Sequence, residues 1–128
     1  MQSGTPRPTD AELEILTVLW SRGPSTVRDI HEIAAQRKST QYTTVLKMLQ
    51  IMAVKGLVRR DEKQRAHVYE AACPREATQR QLAGDLLQRA FGGSAAHLMQ
   101  GALSARRASK PELAELRKLL DEYEKKTR

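Results

Sequence analysis

Apolar positions recur along this chain mostly three and four residues apart, the spacing of helices that bury one face. Leu13, Leu16 and Trp20 form a first line, widened by Ile15 and Leu19. Thr9, with Glu12 three residues on, makes a capping box ahead of it. Gly23-Pro24 stops that helix. Thr26 with Asp29 resembles a second box, and Val27, Ile30, Ile33 and Ala34 predict a short helix to about Gln36. Residues 37–40 form a polar turn. The stretch 40–60, TQYTTVLKMLQIMAVKGLVRR, then organises the rest. Tyr42, Val45, Leu46, Leu49, Met52 and Ala53 form its apolar stripe, and Gly56 supplies the left-handed residue that ends a helix. Beyond Gly56 the period changes to two. Residues 57–61 and 66–71, joined by a turn at 62–65, predict a hairpin.

From Pro74 the helical period returns. Residues 75–90 present Leu82, Ala83, Leu86, Leu87 and Ala90 on one face, and Gly92-Gly93 breaks the helix. Ser94 caps a shorter helix with Leu98, Met99, Ala102 and Leu103. Gly101 lies within it and predicts a weak point, since a mid-helix glycine costs about 1 kcal/mol relative to alanine. Ser109 with Glu112 makes a third box, before a helix carrying Leu113, Leu116, Leu120 and Tyr123 in a heptad-type seam. Three helices over so few residues bury little by themselves, so Leu82, Leu86, Leu113, Leu116, Leu120 and Tyr123 are expected to pair with a second copy of the chain. The predicted fold is mainly α, an N-terminal winged helix-turn-helix with a two-stranded wing followed by a C-terminal helical dimerisation domain. The expected divisions are a disordered tail at 1–8, the winged helix at 9–73 and the dimerisation domain at 74–128.

Charge sharpens the picture. The net charge is +7, and between Arg37 and Arg65 eight basic residues face only Asp61 and Glu62, a local net of +6. On the face of the 40–60 helix opposite its stripe stand Thr40, Thr43, Thr44 and Lys47, with Gln41 beside them. Short hydroxyls, an amide and a cation at the start of a helix suit phosphate oxygens and base edges in a major groove. Arg59, Arg60, Lys63 and Arg65 on the hairpin suit phosphate or the minor groove. The expected partner is double-stranded DNA. The rival expectation is a winged helix that docks an acidic protein; the outward threonines favour DNA, because protein-docking faces have apolar or aromatic centres.

Other chemistry finds no support in the pattern. His31, His67 and His97 lie far apart, without metal-ligand spacing, so no metal, cofactor or catalytic group is expected. Cys73 is the only cysteine, which excludes an intramolecular disulfide and fits a reducing compartment. No apolar run is long enough for a membrane span, so the expected location is the cytoplasm.

With these residues in view, the sequence resembles the penicillinase-repressor family of bacterial regulators (BlaI, MecI and CopY relatives). The matching stretches are AELEILTVLW at 11–20, STVRDI at 25–30, YTTVLKMLQIMAVKGLVRR at 42–60, VYEA at 68–71, FGGSAAHLM at 91–99 and ELAELRKLL at 112–120. The resemblance implies a dimeric repressor that binds inverted-repeat, palindromic operators. It also implies release when a sensor system's protease cuts the dimerisation domain. Two departures stand out. The copper-responsive relatives carry a C-terminal cysteine motif, and this chain reads EYEKKTR there. The resistance repressors are cut between Asn and Phe, and the equivalent positions here are Gly101-Ala102.

Overall fold

A computed structural model describes residues 7–63 and 67–127. The elements run α1 (Asp10–Arg22), β1 (Ser25–Thr26), α2 (Val27–Arg37), α3 (Tyr42–Lys55), β2 (Val58–Asp61), β3 (Val68–Ala71), α4 (Arg75–Phe91), α5 (Ala95–Ala105) and α6 (Lys110–Thr127). They divide into two compact units, one through Ala83 and one from Gly84 on, with α4 running across the division.

In the first unit both predicted capping boxes form. Thr9 Oγ1 accepts from the Glu12 N–H at 3.2 Å while Glu12 Oε1 accepts from the Thr9 N–H at 3.0 Å. Thr26 and Asp29 make the same reciprocal pair at the start of α2. Leu16, Ile30, Leu49, Met52, Leu57 and Tyr69 are fully buried and join α1, α2, α3 and the sheet in one core. Trp20 anchors α1 to the far end of this unit by donating its indole N–H to the Cys73 carbonyl at 2.9 Å. Gly56 sits at φ 84°, the left-handed cap expected between α3 and β2.

The α3 stripe is narrower than its pattern suggested. Val45, Leu49 and Met52 are buried, but Tyr42 and Ala53 are exposed. Tyr42 is the first residue of the helix, and its ring stands edge-on to His31, 5.8 Å between centroids. Met48 packs against the core from the other flank.

The hairpin β2–β3 is present, and the sheet has a third strand. Its order is β1-β3-β2, all antiparallel, with Ser25 opposite Tyr69 and Thr26 opposite Val68. Two residues are too few to show a period of two, so β1 had no sequence signal. It holds the turn between α1 and α2 against the hairpin.

In the second unit α5 runs unbroken through Gly101, the position expected to weaken it. A Cβ at Gly101 would stand 3.4 Å from the Phe91 ring, so this glycine permits a close approach within the chain. Ser109 caps α6 by accepting from the Glu112 N–H, while the Glu112 carboxylate takes two bonds from Arg106. No residue of α5 or α6 is buried. Leu86, Met99, Leu103, Leu119, Leu120 and Tyr123 all stay exposed. Among the described residues no helix is long and apolar enough to cross a membrane.

Candidate nucleic-acid interface

The turn between α2 and α3 is built before the helix that follows it. His31 Nε2 donates to the Thr40 carbonyl at 2.7 Å, so that ring nitrogen carries a proton. The Thr40 hydroxyl donates to the Lys38 carbonyl at 3.1 Å. Thr40 is therefore a half-buried part of the turn, whereas Gln41, Thr43, Thr44 and Lys47 are exposed. Gln41 precedes the helix without a side-chain bond to its first turn, and of the first-turn N–H groups Thr44 donates to the Gln41 carbonyl, which leaves those of Tyr42 and Thr43 for an anion.

At 3.6 residues per turn, Thr43, Lys47, Gln50 and Val54 lie one above another on the side of α3 away from the core. All four are exposed, and Thr44 and Ile51 flank them. Gln50 was missed by sequence reasoning, though its place three residues after Lys47 was the available signal. The same face turns apolar toward its C-terminal end, where Ile51 is 45% and Val54 90% exposed.

The basic segment separates into engaged and free cations. Lys55 Nζ bonds both carboxylate oxygens of the buried Glu12, at 3.0 and 2.9 Å. Burial alone would raise the Glu12 pKa; the bonds from Lys55 and Thr9 outweigh it and hold the carboxyl below its ordinary value. Lys55 thus balances an internal charge. Register places Arg59 opposite Glu70, and the two pair at 3.3 Å. Arg60 lies on the same side of β2 as the buried Val58, opposite Tyr69. Bonds to Glu62 and then to Tyr69 raise its pKa further. The same Arg60 contact lowers the pKa of Glu62. Among the described residues Arg37, Lys38, Lys47 and Lys63 carry no ion pair. Arg37 and Lys38, at the entry to the turn, had not been singled out as site residues. Arg65 lies outside the described residues.

This geometry is a helix with a polar outward face, flanked by free cations and followed by a hairpin. The sequence profile of the penicillinase repressor family matches residues 8–122. The chain belongs to the penicillinase repressor family. Similar members are the transcriptional regulators BlaI of two Mycobacterium tuberculosis strains, CDC 1551 / Oshkosh and H37Rv. Each is 44% identical over 61 residues, which is 47% of this chain and 44% of the relative's length. The match to these regulators thus spans under half of their length. The solved DNA-binding domain of the repressor BlaI has the same fold, with a TM-score of 0.51 at 22% identity, over 58% of this chain and 90% of that one. Monomeric Bacillus licheniformis BlaI in complex with the blaP half-operator gives a TM-score of 0.51 at 22% identity, over 57% of this chain and 89% of that one. The penicillinase repressor family is one of transcriptional repressors, not enzymes. Among the described residues of this member no group of three or more His, Cys, Asp or Glu side chains is placed to hold a metal ion.

Proposed function

We propose that this chain is a dimeric transcriptional repressor that reads an inverted-repeat operator, one half-site per winged helix. The observation that carries this reading is the outward face of α3, where Thr43, Thr44, Lys47 and Gln50 are exposed beside the unpaired Arg37 and Lys38. Thr43, Thr44, Lys47 and Gln50 face base edges, and Gln41 with the first-turn N–H groups takes phosphate. Lys63, Arg59 and Arg60 reach phosphate from the hairpin, with Arg59 and Arg60 first exchanging their acidic partners. Family membership supports repression as the outcome.

Dimerisation rests on the second unit. Its exposed Leu86, Met99, Leu103, Leu119, Leu120 and Tyr123 form more apolar surface than one chain covers, and a second copy covers it in kind. Two linked heads then bind a two-fold operator through effective concentration. Release is any event that separates the heads, such as a cut within α5. Because α5 is continuous and Gly101 packs on Phe91, that cut requires local opening first.

Selection of duplexes from a random pool with the full chain tests the reading. The expected product is a two-fold symmetric sequence, bound far more tightly than either half alone. Recovery of no preferred sequence would overturn it and leave an acidic protein as the partner for the basic face.

A further inference from the structure

A cavity of about 500 Å³ opens in the first unit between α1, α2 and the start of α3. Its apolar wall comes from Ile15 and Val18, Ile30, Ile33 and Ala34, and Val45 and Met48. Ile15, Ile30 and Val45 are buried by the chain itself, while Val18, Ile33, Ala34 and Met48 are only partly covered. Small-molecule sites have this size, about 300–1,000 Å³, and combine an apolar wall with polar groups, which here gather at the rim formed by the turn. The charge around the cavity is lopsided, Arg22, Arg37 and Lys38 against Glu14. Arg22 leans on Asp29 at 3.8 Å, but Arg37 and Lys38 have no ion pair among the described residues. We propose that this cavity binds a small amphipathic anion, its apolar body between the helices and its acid group at Arg37 and Lys38.

The cavity wall includes Lys38, Thr40 and Gln41 of the turn, and Thr44 of α3. An anion there cancels two of the free cations that flank the DNA-facing side of α3, Arg37 and Lys38. Ligand and operator therefore weaken each other's binding by the same factor, a coupling that rests on the DNA-binding reading. The cavity itself does not.

The test uses the full isotope-labelled chain without DNA and the probe 8-anilinonaphthalene-1-sulfonate. Amide shifts should centre on Val18, Ala34, Met48 and residues 38–41. N-phenyl-1-naphthylamine, the same rings without the sulfonate, should bind about tenfold more weakly, and Arg37→Gln should remove most of that difference. Ala34→Phe should fill the cavity and abolish the localised shifts. Shifts confined to α5 and α6, or equal binding of the charged and neutral probes, would overturn the proposal. If Ala34→Phe loses its fold by circular dichroism, the probe pair and Arg37→Gln decide alone. Addition of the selected duplex then tests the coupling: about fivefold or more mutual weakening is expected. Probe binding without any such effect would overturn the coupling and leave the cavity standing.

Discussion

Glu12 shows how one side chain serves several ends at once. Its backbone N–H and carboxylate complete the α1 capping box, and the same carboxylate holds Lys55 at the end of α3. Glu12→Gln keeps a competent capping residue but removes the charge. It should cost about 1–3 kcal/mol in urea denaturation, because the half-buried Lys55 loses its counter-ion. The pH dependence has a definite sign. A carboxyl whose folded pKa is lowered contributes stability above its unfolded value, near 4.5, and loses it as pH falls through the folded value. The wild-type chain should therefore lose stability on acidification below about pH 4.5, and the Gln variant less so. On the DNA-facing side of α3, Thr43→Ala and Gln50→Ala should relax sequence preference, each by about 1–3 kcal/mol between preferred and altered base pairs. Lys63→Ala should instead weaken all duplexes about equally, as a phosphate contact does. Competition binding with matched and scrambled duplexes separates the two classes.

At the scale of elements, what the sequence disclosed depended on range along the chain. The capping boxes of α1 and α2 lie within four residues, and both could be read directly. The α3 stripe was read too broadly, because periodicity cannot tell that Tyr42, at the first position, has a histidine ring to meet. Pairings across long separations had no local signal. Glu12 and Lys55 are joined across 43 positions, and Arg59 meets Glu70 only through strand register. The +6 segment therefore overstated the free charge at the candidate site. α6 offers the sharpest test of an element. Leu116→Asp puts a carboxylate into its seam, where an unpaired buried charge costs several kcal/mol. The variant should sediment as a monomer, keep the near-native spectrum of the first unit and lose tight operator binding. A variant that stays dimeric would move the interface to α4 or α5.

For the whole molecule, the proposed dimer presents its free cations twice. Roughly 6–10 phosphate contacts should make affinity fall by about three to five orders of magnitude between 50 and 200 mM salt. A flat response in fluorescence anisotropy would exclude the basic face as the DNA site. The two ends of α3 are held differently. At the rear, Lys55 is fixed to Glu12 by two short bonds within reach of the core; at the front, the turn is secured by bonds from His31 to the Thr40 carbonyl and from the Thr40 hydroxyl to the Lys38 carbonyl. Mutations thus have unequal consequences along this helix. Changes at positions 37–44 retune what the front end meets while the rear clamp preserves the fold. Changes at Glu12 or Lys55 alone are purged for stability before any new preference is seen. Under laboratory evolution toward a new operator, adaptive substitutions should accumulate at the front, with the rear pair left intact or replaced only together.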